Sequence, residues 1–129
     1  MAKLTTAQAR ELARLYHELA TTLGKYRFDN WENLTKSRRS SIEAIERSLL
    51  TASSDFTAMA INLTLDDVDP VLQRISRVTK RMTAAVKKLK RTGDVIRMAE
   101  AAVKLTGAIL SGVPSAIASA LDDAIRVTK

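Results

Sequence analysis

The sequence predicts an all-α protein, a bundle of four or five helices in a single domain that covers residues 1–129. Apolar residues recur three and four positions apart over long stretches, which is the spacing that places side chains on one side of a helix. Glycine and proline are scarce, at four and two residues, whereas an all-β chain needs frequent turn signals. Aromatic residues make up only 4% of the chain, so the core must be mainly aliphatic.

The first helix is predicted to begin after Thr5 and to end at Gly24. Thr5 and Gln8 have the spacing of a capping box, in which each side chain bonds the backbone N–H of the other residue. Gly24 is expected to cap the C-terminus because glycine readily adopts the left-handed conformation that ends many helices. Residues 25–29 are then a connector. The apolar stripe of this helix consists of Leu12, Leu15, Tyr16, Leu19 and Leu23.

Two longer helices, at about residues 30–63 and 70–91, are predicted to form an antiparallel hairpin on which the bundle is built. The first is expected to be capped by Asp29, to start its apolar stripe at Trp31 and Leu34, and to continue through residues 53–55. The second follows Asp69–Pro70, a cap and first-turn proline that favour a helix start. The side chains predicted to be buried across this hairpin are Leu49, Leu72, Ile75 and Met82.

A small C-terminal hairpin is predicted from helices at about 95–110 and 115–127. Within it, residues 105–121 form a run of seventeen residues without a charge. The run is shorter than the ~20 apolar residues that a membrane span needs, and Pro114 interrupts it. We expect it to be buried in the fold through its small residues. The alternative is a hairpin that enters a bilayer or a groove on a partner.

Few residues are candidates for catalysis or metal binding. The chain has no cysteine, which excludes disulfides, thiolate metal sites and a cysteine nucleophile. His17 is the only histidine and is predicted to face solvent. Asp66, Asp67 and Asp69 cluster, but they lack the glycine and the distal glutamate of a calcium loop, and carboxylates are common before a helix start. We predict a protein that is not an enzyme, with no catalytic residue, metal or cofactor.

The distribution of charge is more informative. The net charge is +7, and residues 71–93 contain eight basic residues and no acidic one, which leaves thirteen basic and fourteen acidic residues elsewhere. Like charges at helical spacing repel, so either a neighbouring acidic surface or an external anion must relieve them. The residues predicted to bind an anionic partner are Arg74, Arg77, Lys80, Arg81, Lys87, Lys88 and Arg91. Lys90 is expected closer to the apolar edge.

These observations predict an interaction or assembly protein that binds an acidic protein surface through the basic helix. One alternative is a protein of anionic membrane surfaces that uses the basic helix together with the uncharged run at 105–121. A second alternative is nucleic-acid binding, although the chain has no recognisable nucleic-acid-binding motif. Leu50 and Ile61 form a second apolar edge on their helix, which would suit a contact between copies of the chain.

The first segment of the chain does not resemble a secretory signal. Residues 1–23 carry three basic and two acidic side chains, so they contain no uninterrupted apolar region. The absence of cysteine suits a reducing compartment. The expected location is therefore the cytoplasm.

Overall fold

A computed structural model describes residues 2–58, 61–63 and 68–128, and within them it contains five α-helices. Two short strands, β1 (Ala2–Lys3) and β2 (Asn62–Leu63), pair in antiparallel fashion. A single turn of 3-10 helix covers Trp31–Asn33. The prediction of an all-α bundle is confirmed. The helices are α1 (Thr6–Asp29), α2 (Lys36–Ala58), α3 (Asp69–Val86), α4 (Thr92–Ser111) and α5 (Pro114–Val127).

The most extensive helix pair is α1 with α2. The pair is antiparallel, because the Ser53 hydroxyl near the end of α2 donates to the carbonyl of Ala13 near the start of α1, at 2.7 Å. The predicted hairpin of 30–63 with 70–91 is therefore not the principal pair, since α3 packs mainly on α1, α4 and α5. Periodicity identifies an apolar stripe on each helix, but it does not identify which two stripes face each other.

The helix contacts close into a ring in the order α1, α2, α4 and α3, with α5 packed against α4 and α3. Helices α1 and α3 are parallel, since Gln8 contacts Asp69 near their starts and Tyr16 contacts Thr79 further along. The Tyr16 and Thr79 hydroxyl oxygens lie 3.0 Å apart in the buried interior. The C-terminal ends of α1 and α3 consequently lie at the same end of the bundle.

The predicted core is largely confirmed. Leu49, Ile75 and Met82 are completely buried, whereas Leu72 is only half-buried at the edge of α3. At the centre, the rings of Tyr16 and Phe56 pack with their centroids 5.6 Å apart. Because the Tyr16 hydroxyl also contacts Thr79, this ring pair connects α1 and α2 to α3.

Helix α1 does not end at Gly24, and residues 25–29 are its last turns rather than a connector. A glycine inside a helix costs only about 1 kcal/mol, and tertiary contacts beyond it outweigh that cost. A Cβ on Gly24 would lie 2.8 Å from Oε1 of Glu46, so glycine leaves room for the Glu46 carboxylate at this position. The helix ends at Asp29, and the side-chain amide of the cap residue Asn30 donates to the carbonyl of Tyr26 at 2.9 Å. The capping box at the helix start is confirmed by both bonds between Thr5 and Gln8.

Helix α2 begins at Lys36, several residues later than predicted. Asp29 is not its cap; instead the Arg38 N–H donates to the hydroxyl of Thr35 at 3.2 Å. Trp31 lies in the preceding 3-10 turn and is 46% exposed, so it does not start a buried stripe, although Leu34 is buried. The helix continues through residues 53–55 as predicted, but it ends at Ala58, and Asn62–Leu63 form a strand instead of its last turn.

Helix α3 begins at Asp69, whose carboxylate accepts a bond from the Gln8 amide at 3.2 Å, while Val68 occupies the cap position. The helix ends at Val86, five residues before the predicted end. The N–H groups of Lys87 and Lys88 bond to carbonyls three residues back, which tightens the last turn. The residues that follow form a connector that leads into α4.

The C-terminal hairpin is confirmed as α4 and α5. Gly112 adopts a left-handed conformation with φ of 71° at the end of α4. Four large apolar side chains of residues 105–121 are completely buried: Leu105, Ile109, Ile117 and Leu121. Leu110 is partly buried and Val113 is 46% exposed. No helix among the described residues is long and apolar enough to cross a membrane.

Leu50 and Ile61 do not share an exposed edge. Ile61 is buried and its carbonyl accepts a bond from the Leu4 N–H at 3.0 Å, whereas Leu50 is 41% exposed. Of the proposed homo-oligomer contact, only Leu50 is accessible.

Candidate functional site

The structure divides the seven residues predicted to bind an anion into two groups. Four lie on the outer side of α3, and we call them the basic face: Arg74, Arg77, Lys80 and Arg81. The other three follow the end of α3 in the connector to α4: Lys87, Lys88 and Arg91. The two groups have different surroundings.

Acidic residues on neighbouring helices partly neutralise the basic face. Arg74 donates from Nη2 to the Asp122 carboxylate of α5 at 3.0 Å. On the other side, the pKa of Glu11 on α1 is lowered, mainly by its hydrogen bond with Arg14 and further by attraction to Arg14 and to Lys80. The charges of α3 are thus relieved in part within the chain, as one of the two sequence interpretations expected.

The remaining arginines of the basic face border a shallow groove between α3 and α5. Arg77 and Arg81 lie at its rim, Val78 and Ile125 form its floor, and its volume is about 220 Å³. The Asp122 carboxylate already bound to Arg74 shows that a carboxylate fits the edge of this groove. The groove therefore presents guanidinium groups around a small apolar floor.

The connector after α3 belongs to a larger basic surface. The last turns of α1 lie beside it, since the Tyr26 hydroxyl is 3.1 Å from Oγ1 of Thr92. The start of α2 belongs to the same end of the bundle, because α2 is antiparallel to α1. We define the basic end as residues 25–39 and 87–91. These two segments contain nine basic and two acidic residues, an excess of seven that equals the net charge of the chain. The rest of the chain contains twelve basic and twelve acidic residues and is neutral.

Most cations of the basic end have no ionic partner in the part of the chain that the structure describes. Among the described residues, Arg27 alone of the nine forms an ion pair: Nε donates to Oε2 of Glu46 at 2.7 Å and Nη2 to Oε1 at 3.3 Å. This bond holds the pKa of Arg27 above its usual value. The eight cations outside the ion pairs of the described chain are Lys25, Lys36, Arg38, Arg39, Lys87, Lys88, Lys90 and Arg91.

A cleft of about 650 Å³ separates the two segments of the basic end. Its lining includes three lysines, Lys25, Lys87 and Lys90, and one acidic residue, Asp29, together with Tyr26 and Asn30. Lys90, expected near the apolar edge, is exposed here. The cleft is open to solvent and can admit an anionic group between the lysines.

Two exposed aromatic residues at the basic end were not recognised from the sequence. Phe28 is 79% exposed and Trp31 is 46% exposed. The Arg39 guanidinium lies 4.4 Å from the Trp31 ring centroid and the Arg27 guanidinium 6.0 Å from it, which is cation–π geometry. One signal was available in the sequence: three of the five aromatic residues of the chain, Tyr26, Phe28 and Trp31, fall within the charged stretch 25–39.

The structure adds no candidate for catalysis or metal binding among the residues it describes. His17 is exposed on α1, as predicted. No cluster of three potential metal ligands occurs in the described ranges. Asp66 and Asp67, which were weighed above as calcium ligands, lie outside those ranges. The arrangement that remains is a set of exposed cations with two aromatic rings, which is suited to binding anionic groups.

Comparisons of the chain with protein-family models, with curated proteins and with solved structures find no match. Function is therefore inferred from charge, exposure and geometry.

Proposed function

We propose that the protein is a non-enzymatic helical interaction module that binds an acidic protein surface. The contact residues are those on and just after α3 that have no ion pair in the described part of the chain: Arg77, Lys80, Arg81, Lys87, Lys88 and Arg91. The basic end provides the main contact and the basic face flanks it. The proposed location is the cytoplasm, which a cysteine-free composition suits.

The observation that carries this proposal is the concentration of unpaired cations at one end of a bundle that is otherwise neutral. Such a surface creates a local positive potential, which speeds encounter with an anionic partner. Single exposed ion pairs contribute little, about 0–1 kcal/mol each, so a specific contact requires several charges together. Eight unpaired cations in two adjacent segments meet that requirement.

The basic face contributes a more specific element. Arginine binds a carboxylate through two parallel bonds, which fixes the orientation of the acidic group. Arg77 and Arg81 border a groove with the apolar floor of Val78 and Ile125. A partner segment with acidic and aliphatic side chains would complement both features.

The membrane alternative predicted from the sequence combines the basic helix with the uncharged run at residues 105–121. Most large apolar side chains of that run are buried, Leu110 is partly buried, and Val113 is the one that is largely exposed. The turn at Gly112 also lies a full length of α4 from the basic end, about 30 Å at 1.5 Å per residue. That combination therefore lacks an apolar element to insert.

The test is recovery of partners from the native host with three charge-reversal variants. The end variant carries Lys87→Glu, Lys88→Glu and Arg91→Glu. The face variant carries Arg77→Glu, Lys80→Glu and Arg81→Glu. A control with the same change in net charge reverses exposed cations elsewhere, Lys3→Glu, Arg10→Glu and Arg47→Glu.

We expect the unmodified protein and the control to retain an acidic protein whose binding weakens as salt is raised. The end variant should lose it almost completely and the face variant in part. Equal retention by the end variant and the control would contradict the proposal. Release of the bound material by nuclease would point instead to nucleic acid, and the salt slope would then count the phosphates neutralised.

A further inference from the structure

We propose that the basic end is also a docking surface for anionic lipid membranes. Phe28 and Trp31 enter the interfacial region of the bilayer, and the surrounding lysines and arginines bind lipid phosphates. This inference shares cations with the proposed function, but it rests on the two aromatic residues, which that function does not use.

The exposure of the aromatic side chains is the first step. Phe28 leaves 79% of its surface in water although a phenylalanine is usually buried. Trp31 presents the other exposed ring from the next turn of the chain, 46% exposed. Trp and Phe on a cationic surface are typical of helices and ends that lie in the membrane interface. A fluid bilayer accepts such projecting rings without requiring a complementary pocket.

The charge around the rings is the second step. The Arg27 and Arg39 guanidinium groups lie 6.0 Å and 4.4 Å from the Trp31 ring centroid, and the other cations of the basic end belong to the same end of the bundle. Anionic lipid attracts clusters of lysine and arginine through its negative surface potential. Asp29 and Glu32 beside the rings lower this attraction, but nine basic residues of the same segments outnumber them.

The cleft between the two segments is the third step. Its three lysines, Lys25, Lys87 and Lys90, surround a space of about 650 Å³ next to Phe28 in the chain. A headgroup phosphate in this cleft would lie among three ammonium groups, which outnumber the one carboxylate of the lining, that of Asp29. The cleft thus provides a concave binding site for a lipid headgroup, which a flat basic surface would not provide.

The rings are presented on a fixed support. Arg27, adjacent to Phe28, is bound to Glu46 of α2 by two hydrogen bonds. Asn30 caps the same turn through its bond to the Tyr26 carbonyl. Arg39 lies over the Trp31 ring. Both aromatic residues are therefore positioned before any membrane is met.

Trp31 is the only tryptophan, so its fluorescence reports directly on this site. The full chain is mixed with phosphatidylcholine vesicles that contain about 30% phosphatidylserine, and separately with pure phosphatidylcholine vesicles. We expect a blue shift of the emission and co-sedimentation with the anionic vesicles only. Raising the salt to about 0.5 M should reduce both signals, because it screens the charges of the basic end.

Two variants separate insertion from simple charge attraction. Phe28→Ala removes one ring and keeps the Trp31 reporter, and we expect it to weaken partition into anionic vesicles by about tenfold. Leu50→Ala is the matched control, since Leu50 is an exposed apolar residue of α2 about 20 Å along the helix from Lys36. Circular dichroism should show that both variants keep the helical fold.

Several results would overturn the inference. One is the absence of binding to anionic vesicles at low salt. A second is binding without a blue shift, which would indicate charge attraction with the rings still in water. A third is equal partition of Phe28→Ala and the unmodified protein. None of these results alters the test of the acidic protein partner, which uses no lipid and leaves Phe28 in place.

Discussion

The basic face and the basic end contain similar residues but differ in their surroundings. On the basic face, Arg74 is bound to Asp122 and Lys80 lies near Glu11. Acidic side chains of neighbouring helices therefore neutralise part of its charge. At the end, eight cations have no ion pair in the described chain, and two aromatic rings are exposed among them. The same kind of charge is therefore partly structural in one place and available to a partner in the other.

This difference shows that a binding surface is identified from the positions of charged residues in the folded protein, and not from their order along the chain. Along the chain, all the excess charge falls in residues 71–93. In the folded protein, half of that group joins residues 25–39 across the Tyr26–Thr92 contact, and the excess belongs to one end of the bundle.

The basic face lies on the helix whose opposite side is buried in the core. On that buried side, replacement of Ile75 should lower the free energy of unfolding the most. Ile75→Ala should lower the free energy of unfolding by about 2–5 kcal/mol, because it leaves a cavity in a fully buried site. Chemical denaturation measures this value. Arg77→Ala on the exposed side of the same helix is the control and should change it by less than about 0.5 kcal/mol. Similar values for the two variants would mean that the faces of α3 are wrongly assigned.

The ion pair between Arg27 and Glu46 stabilises the basic end, because it joins the last turns of α1 to α2. Glu46→Ala should cost about 1–2 kcal/mol, because it leaves the partly buried guanidinium without its acceptor. The exposed pair of Arg47 with Glu43 provides the comparison, and Glu43→Ala should cost no more than about 0.5 kcal/mol. An equal cost for both changes would contradict the structural role of the first pair.

The contact between Tyr16 and Thr79 ties α1 to α3 and so connects the two regions. Tyr16→Phe should cost about 0.5–1.5 kcal/mol through the lost hydrogen bond. Burial raises the pKa of Tyr16 above its usual range. The folded state therefore keeps the proton while the unfolded chain loses it above pH about 10, so stability should fall there. If Tyr16→Phe and the unmodified protein lose the same stability at alkaline pH, the ionisation of Tyr16 is not the cause of that loss.

The smallest predicted effect compares single charges in the two regions. Lys88→Gln should raise the free energy of unfolding by a few tenths of a kcal/mol, because it relieves repulsion among unpaired cations. Arg74→Gln should lower it by a similar amount, because it removes the bond to Asp122. Thermal unfolding at low ionic strength should resolve the opposite signs, and high salt should diminish both changes. Two changes of the same sign would remove the distinction between the regions.

Much of the fold follows from local patterns in the sequence. The capping box at Thr5 and the burial of Ile75 are examples, since both depend on residues within one or two turns. The failures involve distant partners. Gly24 resembles a helix end until Glu46 and Thr92 hold the next turn in place. Helix pairing has the same origin, because a stripe does not specify its neighbour.

The candidate site was predicted in composition but not in location. The seven cations are exposed or half-exposed as expected, yet the helix ends at Val86 and separates them into two groups. Trp31 was assigned to a buried stripe because its spacing fits one, and only the 3-10 turn places it at the surface. Spacing does not distinguish an apolar residue of the core from one that begins a connector.

The most direct test of the account is a residue-resolved titration of the folded protein with a short polyglutamate peptide. Backbone amide resonances are followed by two-dimensional NMR at low salt. The account predicts that the largest shifts fall in residues 25–39 and 87–91, with smaller shifts around Arg77 and Arg81. Shifts that are largest along 70–76, or that are spread evenly over all exposed cations, would contradict the claim that the basic end is the anion-binding surface.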